Sequence, residues 1–583
     1  MDRMLEKNEN NKIFHILLLT NRDSDNAGDQ VIEECDISLI STVMKNLNIG
    51  ADQYVINSRA AGIISKKYME TEDPKLLQDA EFTIQNSDLI IFGGAPLFNF
   101  LYQPFYERTA VTLEIAEKYQ KPVIFSAIGV EGYDEYNEKC QRLKKTLNFD
   151  CVKQITTRDD FESLKKYIEN ENISIRKVAD PAVFTSKIFE NFIAVKDENS
   201  KEKVGIFVLR SNGFLDNGVN LSRDDAAELW KAVIAELEKR NYDYELLTSG
   251  HFGDEAFLDY LIRKYNVKAE KCIFNINTPE KLINKISSYS AVISCRLHPG
   301  IISYSLGVPA VGLVWNYKVK HFYESIGYAE RVIDVNHVTP EKIVDKIEAA
   351  IPQGVKKDSE YLVSVYDSLF NGIKKALCPG KENVVPYNYD ELMKEIPAFQ
   401  GTSEKEQEEK LKRKFRRTYG KYNELFDKNT EQRLTIREMQ GYIVIYNGGM
   451  KTDKLSWNYD NSRGEVQKLD TGSVEYKLNK FGINDGSTLL VKNGFSHPEY
   501  NFIGWQMRVK DDRNWYWYLE DGTIKSQEDY KKGIDKDKYI LKDETKIPYI
   551  PLKGVATIVL EGVWKAKFKT RVVRKLRKIR GQK

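Results

Sequence analysis

The sequence has few cysteines and no long hydrophobic run, and both features narrow the class of protein. Its 583 residues include six cysteines, which are scattered and form no CxxC pair. A disulfide-stapled fold or a zinc module is therefore not indicated. No apolar run approaches the roughly 20 residues of a membrane-spanning helix, and residues 1–12 lack the apolar core of a signal peptide. We therefore expect a cytoplasmic protein.

The chain also has almost no net charge. Its 88 Lys and Arg residues nearly cancel its 86 Asp and Glu residues, so the overall charge indicates no nucleic-acid partner. No cluster with the spacing of metal ligands stands out in the sequence, and we expect neither a metal nor a cofactor. The length predicts three or four domains.

Short apolar segments alternate with amphipathic segments over the first 380 residues. The series runs from IFHILLLT at residue 13 to the charged segment 196–203, and a second series begins with VGIFVLR. Strands that alternate with helices predict βαβ units and a parallel sheet. We expect two Rossmann-like domains, residues 1–195 and 196–380, which face each other across a cleft. The helical segment 358–377 is expected to close the second domain.

The remainder of the chain has a different character. We interpret residues 381–440 as a charged helical linker and residues 441–565 as a small all-β domain, since the latter alternate apolar and polar residues between Gly-containing turns. Residues 566–583 are basic and carry apolar residues at helical spacing, which predicts an amphipathic helix. Such a helix can bind an anionic membrane surface. A disordered basic tail and nonspecific nucleic-acid contact are the alternatives.

The most informative motif joins a buried strand to a cation and an imidazole. Arg296 and His298 follow the apolar run that ends at Ser294, and a helix-like segment begins directly after them. In parallel α/β sheets, ligands bind at the carboxyl ends of strands, and helix N-termini attract anions. The motif predicts a pocket for a small, highly charged anion. Further candidates at strand ends are Asn26, Asp29, Gly93, Gly94, Arg158, Arg210, His251 and Lys318.

Together these motifs resemble those of the polysaccharide pyruvyl transferases. The resemblance spans residues 13–350, and one departure is Ala95-Pro96, where the family often has glycine or a small polar residue. The matching segments are Asn26-Ala-Gly-Asp29, Gly93-Gly94-Ala-Pro-Leu-Phe98, Arg158-Asp159 with Ser163, Asp180-Pro181, Ser294-Cys-Arg-Leu-His298, and Gly307-Val-Pro309 leading to Tyr317-Lys318.

The resemblance implies a GT-B-like fold and transfer of the pyruvyl group of phosphoenolpyruvate, a co-substrate, onto two hydroxyls of a cell-surface polysaccharide sugar as a ketal. It implies that Arg296, with Leu297, binds the donor and that His298 is catalytic. We expect Arg210 to be a second donor-binding arginine. His298 is expected either to protonate C3 of the donor or to neutralise departing phosphate.

The other candidates are assigned to the acceptor side or the cleft, and Asp29 is the candidate for the general base. The expected acceptor is a glycan or a lipid-linked oligosaccharide of capsular or exopolysaccharide type, met at the inner face of the plasma membrane. Two other functions remain open: a GT-B glycosyltransferase that uses a nucleotide sugar, and a non-catalytic glycan-binding scaffold. Nucleic acid is not an expected partner.

Within the β domain, three segments loosely resemble one Listeria–Bacteroides-type repeat. We expect its clustered aromatic residues to pack its core, and stacking on sugar rings is the alternative. The segments are Tyr446-Asn-Gly-Gly449, Tyr500-Asn-Phe-Ile-Gly-Trp505 and Asp521-Gly522, and the aromatic residues are Trp505, Trp515, Tyr516, Trp517 and Tyr518.

Overall fold

A computed structural model gives the fold in two compact units, Met1–Arg416 and Arg417–Lys583. The structure describes residues 12–99, 105–195, 201–210, 214, 218–439, 442–450, 454–457, 466–470, 473–478, 492–510, 515–518, 524–526, 540–543 and 557–580.

The first lobe is a parallel sheet of six strands in the order β2-β1-β3-β4-β5-β6. Strands β3 and β4 are buried along their whole length, as apolar strands covered on both faces must be. The strands are β1 (Phe14–Thr20), β2 (Tyr54–Ala60), β3 (Leu89–Gly93), β4 (Val123–Ile128), β5 (Val152–Thr157) and β6 (Ser174–Lys177). The helices are α1 (Ala27–Asn46), α2 (Lys66–Thr71), α3 (Gln78–Gln85), α4 (Phe105–Lys118), α5 (Glu138–Leu147), α6 (Phe161–Tyr167) and α7 (Thr185–Ile188).

The second lobe is also a parallel sheet of six strands, but its strand order is β12-β11-β10-β7-β8-β9. This is the strand order of dinucleotide-binding folds. Its strands are β7 (Lys203–Phe207), β8 (Asp243–Leu247), β9 (Cys272–Ile273), β10 (Ala291–Ser294), β11 (Ala310–Val314) and β12 (Val332–Asp334). Its helices are α8 (Arg223–Lys239), α9 (Phe252–Tyr265), α10 (Pro279–Ser288), α11 (Leu297–Leu306), α12 (Tyr317–Ser325) and α13 (Pro340–Gln353). The prediction of two Rossmann-like domains in a GT-B-like arrangement is confirmed.

Each sheet reverses its strand order at one point, and the carboxyl ends of strands at such a point form a ligand-binding crevice. In the first lobe the reversal lies between β1 and β3, and in the second it lies between β7 and β10. Several predicted site motifs follow these four strands, and Arg158, His251 and Lys318 follow β5, β8 and β11. The strand order therefore brings together segments that are far apart in the sequence.

Helix α14 (Ser359–Leu377) packs on the first lobe, so the prediction that it closes the second domain is wrong. Gln154 on β5 donates a hydrogen bond of 2.8 Å to the carbonyl oxygen of Ser368, and Ser364 Oγ accepts from the backbone N–H of Ala179 at 3.0 Å. The apolar face of α14 covers the strands of the first sheet together with α1. Amphipathic periodicity predicts the helix but does not say which sheet has an uncovered face.

The chain continues through α15 (Tyr389–Glu395) into the long helix α16 (Glu404–Met439). None of the described helices is apolar over a length that would cross a membrane.

The second unit contains a mixed sheet in which only β13 and β22 pair in parallel among the described strand pairs, so the prediction of a small β domain is confirmed. Its strands are β13 (Tyr442–Asn447), β14 (Ser456–Trp457), β15 (Val466–Asp470), β16 (Ser473–Leu478), β17 (Phe495–Ser496), β18 (Tyr500–Lys510), β19 (Trp515–Tyr518), β20 (Ile524–Ser526), β21 (Ile540–Leu541) and β22 (Thr557–Ala566), followed by helix α17 (Phe568–Ile579).

Trp505 of this unit is fully buried against the rings of Tyr446, Phe495 and Phe502. It therefore packs the core, as expected. The side chains of residues 515–518 and the Asp521-Gly522 turn lie outside the described part of the chain, and the resemblance to a Listeria–Bacteroides-type repeat stays a prediction.

Candidate active site

A cavity of about 580 Å³ lies between the two lobes, at the carboxyl ends of the strands where each sheet reverses its order. Nine of the eleven predicted site residues line this cavity. They are Asn26, Asp29, Arg158, Arg210, His251, Arg296, Leu297, His298 and Lys318. Residues from both lobes thus meet in one place.

Asp254 organises the two predicted donor-binding arginines. The Nε and Nη2 groups of Arg296 donate to Asp254 Oδ2 at 2.9 and 2.7 Å, and the backbone N–H of Arg210 donates to Asp254 Oδ1 at 3.1 Å. The Asp254 side chain is fully buried in the first turn of α9. A buried carboxylate with these partners fixes the direction of the Arg296 guanidinium. No local sequence pattern indicates Asp254 as a site residue.

The guanidinium of Arg210 has a buried donor that forms no hydrogen bond with the described residues. It follows β7 and lines the cavity, and its Nε is buried without a hydrogen-bond partner among the described residues. A buried donor without a partner costs free energy, and an anion in the cavity would relieve this cost.

Arg158 approaches the cavity from the first lobe, at the end of β5. Its Nη1 donates to Asp180 Oδ2, and both side chains are almost completely buried. Its Nε has no hydrogen-bond partner within the described residues. Burial raises the pKa of the neighbouring Asp159 to about 7. Arg158 is therefore a structural cation that is held by Asp180, and its Nε lies 3.9 Å from Asp159 Oδ1.

His298 lies in the first turn of α11 and contacts the first turn of α1 in the other lobe. Its Nδ1 lies 3.4 Å from Asn26 Nδ2 and 3.5 Å from Asp29 Oδ1. Asn26 caps α1 by accepting a hydrogen bond of 3.1 Å from the Gly28 N–H. A Cβ at Gly28 would lie 2.5 Å from the Cβ of His298, so the glycine of the Asn-Ala-Gly-Asp motif makes room for the imidazole.

The surroundings of His298 and Asp29 shift the pKa of both side chains. Burial, with the charges of Arg158 and Arg296, lowers the pKa of His298 to about 3. Burial raises the pKa of Asp29 to about 6. The imidazole of His298 is therefore neutral at neutral pH. The charges of Arg158 and Arg296 thus oppose a positive charge on the imidazole of His298.

Lys318 closes the cavity from the second lobe and pairs with Glu131 from the first. Glu131 also accepts a hydrogen bond from Asn99, and all three residues line the cavity. Burial lowers the pKa of Lys318 to about 8. Asn99 and Glu131 were missed by sequence analysis, since neither belongs to a recognisable motif.

Trp315 and Asn316, after β11, are two further lining residues that the motifs do not indicate. The indole N–H of Trp315 donates to the carbonyl oxygen of Cys295. Asn316 Oδ1 is buried without a hydrogen-bond partner in the described part of the structure. Their position at a strand exit beside Tyr317-Lys318 was the one available signal.

Gly93 and Gly94 do not line the cavity but shape the loop that carries Pro96 and Asn99 to it. Gly94 has a φ of +52°, and a Cβ at Gly93 would lie 2.2 Å from Asp36 Oδ2. His251 lines the cavity and caps α9, accepting a hydrogen bond of 3.1 Å from the Gly253 N–H. Within the described residues, no group of three or more His, Cys, Asp and Glu side chains could hold a metal ion.

Comparison with solved structures finds distant likenesses. The UDP-GlcNAc 2-epimerase of Methanocaldococcus jannaschii in complex with UDP-GlcNAc and UDP is 13% identical, covers 63% of this chain and 99% of that one, and has a TM-score of 0.39. A putative UDP-N-acetylglucosamine 2-epimerase from Listeria monocytogenes is 10% identical over 64% of this chain and 99% of that one, with a TM-score of 0.41. Likenesses this distant say nothing about chemistry.

No curated protein matches the sequence. The family model described as polysaccharide pyruvyl transferase matches residues 7–317, more than half of the 583 residues. The matched part includes the segments after β1, β3, β7 and β10 that form the cavity. The chain therefore belongs to the polysaccharide pyruvyl transferase family.

Proposed function

We propose that the protein transfers the pyruvyl group of phosphoenolpyruvate onto two hydroxyls of a polysaccharide sugar. Membership of the family makes the protein a transferase of polysaccharide biosynthesis, and the donor and the ketal product are the proposed parts. The observation that carries the proposal is the unsatisfied Nε of Arg210 beside Arg296 in a cavity of about 580 Å³.

The cations of the cavity suit a donor with two anionic groups. Phosphoenolpyruvate carries a carboxylate and a phosphate, and the guanidinium of arginine binds either through paired N–H donors. Arg296 is held in place by Asp254, whereas the Nε of Arg210 has no hydrogen-bond partner among the described residues. The N-terminus of α11 begins at Leu297 beside them and adds backbone N–H groups that favour negative charge.

The reaction balances without an oxidant or a reductant. The oxygen of one sugar hydroxyl bonds to C2 of phosphoenolpyruvate while C3 gains a proton and becomes a methyl carbon. The C2–O bond to phosphate then breaks, and phosphate leaves with the bonding electron pair. The oxygen of the second hydroxyl bonds to the oxocarbenium carbon and completes the ketal. Of the two hydroxyl protons released, the methyl group accounts for one and hydrogen phosphate for the other.

His298 and Asp29 are the groups that we assign to proton transfer. The arginine charges that lower the pKa of His298 are offset when an anionic donor binds, so donor binding raises that pKa and lets the imidazole take a proton. Asp29 Oδ1 lies 3.5 Å from His298 Nδ1 and is the partner from which that proton comes or to which it returns. Because the pKa of Asp29 is about 6, both protonation states are accessible near neutral pH.

The acceptor is proposed to enter along the first-lobe wall of the cavity, which is formed by Pro96, Asn99 and Glu131. The amide and the carboxylate offer the hydrogen-bond partners that sugar hydroxyls require. We propose a glycan or a lipid-linked oligosaccharide, presented on the cytoplasmic side of a membrane, as the acceptor. Lys318 and Glu131 form an ion pair across the cleft, and this ion pair would have to break when the acceptor sugar binds.

Calorimetric and thermal-shift titrations with phosphoenolpyruvate, UDP, GDP and CMP test the donor. A ligand at 100 times its dissociation constant adds about 2.7 kcal/mol to stability. We expect binding of phosphoenolpyruvate alone, and loss of that binding in Arg210→Gln with little change in the stability of the free protein. Arg263→Gln, at an exposed arginine of α9, is the matched control.

Binding of a nucleotide alone would identify a glycosyltransferase instead. If the protein binds none of these ligands but does bind an acidic glycan, phosphoenolpyruvate is not its donor. That result would favour a non-catalytic glycan-binding scaffold.

A further inference from the structure

Helix α17 presents an apolar stripe to solvent on one side. Phe568 and Ile579 are 75% and 74% exposed, and Leu576 between them is 49% exposed. With Val572, these residues follow one another at intervals of three and four, so they share one face of the helix. A water-soluble helix normally buries such a face, and within the described part of the chain nothing covers it.

Cations flank this stripe on both sides. Residues 568–580 contain seven Lys and Arg residues and no acidic residue, and none of the seven forms an ion pair within the described part of the chain. At a spacing of 100° per residue, Lys569 and Arg580 lie on one side of the stripe and Arg571, Lys575 and Lys578 on the other.

The helix is attached to the β unit at its first turn. The backbone N–H of Lys567 donates to the carbonyl oxygen of Glu499 at 2.9 Å, and Lys567 Nζ donates to the carbonyl oxygen of Pro498 at 2.9 Å. The guanidinium carbon of Arg574 lies 5.2 Å from the centre of the Tyr500 ring. These contacts involve the polar side of the helix and leave the apolar stripe facing outward.

We propose that α17 binds in the plane of an anionic lipid bilayer. Its apolar stripe would enter the boundary between headgroups and acyl chains, while the flanking cations contact lipid phosphates. Twelve residues make a helix of about 18 Å, which is too short and too charged to cross the membrane. A nucleic acid would leave the apolar stripe in water, and a second copy would bring two sets of cations together.

Sedimentation with vesicles tests this proposal. We expect the full chain to bind vesicles of phosphatidylcholine and phosphatidylglycerol, and to bind pure phosphatidylcholine vesicles at least tenfold more weakly. The double variant Leu576→Gln/Ile579→Gln keeps every charge and should bind the anionic vesicles at least tenfold more weakly than wild type. Phe82→Gln, at an aromatic residue on α3 that is 67% exposed, is the control and should bind like wild type.

Binding to the anionic vesicles should also weaken in the charge variant Arg571→Gln/Lys575→Gln/Lys578→Gln. Its melting temperature should equal that of wild type. Equal binding to both vesicle types, or wild-type binding by Leu576→Gln/Ile579→Gln, would overturn the proposal. A concentration-dependent dimer that this apolar variant abolishes, without vesicle binding by wild type, would assign the stripe to a second copy. Equal binding of single-stranded RNA by the apolar variant, again without vesicle binding, would assign the cations to nucleic acid.

The first three turns of α16, which lie within the first unit, form hydrogen bonds and ion pairs with both lobes. Lys414 Nζ donates to Glu255 Oε1 at 2.8 Å and to Asn277 Oδ1 at 2.9 Å, both in the second lobe. On the same turns, Glu406 lies 4.0 Å from Arg22, and Arg413 lies 3.9 Å from Asp23, both in the first lobe. The helix therefore contacts both lobes.

These contacts reach the segments that carry the site. Arg22 and Asp23 lie in the loop that leads to Asn26, and Glu255 is the neighbour of Asp254, which holds Arg296. Lys414 and Glu255 are largely buried, so their attraction is little screened by salt. We infer that the first turns of α16 act as a strap that fixes the separation of the two lobes.

Amide hydrogen exchange tests the strap without reference to activity. Lys414→Gln should speed exchange at least threefold in residues 21–26 and 251–256, and Lys414→Arg should restore protection. Lys412→Gln, whose exposed side chain pairs only with Glu408 among the described residues, is the control on the same helix. Unchanged exchange in Lys414→Gln, or an equal increase throughout both lobes, would overturn the inference.

Discussion

In the cleft, Arg158 and Arg296 are each held by a buried carboxylate, whereas the seven cations of residues 568–580 have no ion pair within the described part of the chain. A cation fixed in a water-poor cavity selects an anion by shape and position. Cations on an exposed helix respond to the summed charge of a surface. The same residue types therefore have different functions according to burial and partner, and each difference can be tested by substitution.

The largest contrast is expected for turnover. His298→Ala should lower ketal formation by about 10²–10⁴-fold, because the proton-transferring group is lost, while the melting temperature stays close to that of wild type. Leu576→Gln/Ile579→Gln should leave turnover on a soluble acceptor unchanged. Assays of phosphate release and product mass check both variants, and wild-type turnover in His298→Ala would remove this residue from the chemistry.

Stability gives the next contrast. Arg158→Gln leaves Asp180, which is almost fully buried, without its cation, and this should cost about 3–5 kcal/mol of the free energy of unfolding. Lys578→Gln on α17 should change that free energy by less than about 0.5 kcal/mol. Urea denaturation of the two variants measures both values. Similar small losses in the two variants would contradict the assignment of Arg158 as the cation that Asp180 requires.

The sequence was sufficient for the fold of the two lobes and for much of the cavity. Buried apolar strands such as LIIFG, and polar residues directly after them, follow from local patterns. Asp254 could not be predicted from local patterns, because its partner Arg296 lies 42 residues away and no local signal indicates a buried carboxylate. The location of α14 depends on which sheet face is uncovered, which is a property of the assembled lobes. The low pKa of His298 likewise arises only when Arg158 and Arg296 converge.

Dependence on pH should also separate the two regions. The folded-state pKa of Asp29 is raised from 3.8 to about 6, so its stabilising contribution is complete below pH 4 and is lost as pH rises through 6. A shift of about two units corresponds to about 3 kcal/mol. Asp29→Asn should therefore gain up to that much stability over wild type between pH 4 and 7, as followed by denaturation at each pH. A constant difference between the two proteins would contradict the raised pKa.

Vesicle binding by α17 should stay constant between pH 5 and 8, because residues 568–580 contain no His, Asp or Glu.

The close approach at Gly28 gives a smaller effect on the cleft alone. Gly28→Ala places a Cβ 2.5 Å from the Cβ of His298 and must displace the imidazole. Turnover should fall by about 10–100-fold, since small displacements of a catalytic group carry costs of this size. Gly380→Ala, where an added Cβ meets nothing within 4 Å, is the control. Equal turnover in the two variants would show that the imidazole position is not critical.

Salt should have the smallest effect on ligand binding in the cleft, but a clear effect on vesicle binding by α17. Exposed charges are screened within about 10 Å at 0.1 M salt, and buried charges much less. Raising the salt concentration from about 0.05 to 0.5 M should thus weaken vesicle binding at least tenfold, and should weaken phosphoenolpyruvate binding only a few-fold. Vesicle sedimentation and calorimetry at each salt concentration provide the two curves. Parallel curves would mean that the cleft cations act as a diffuse basic surface, and the distinction between the two regions would fail.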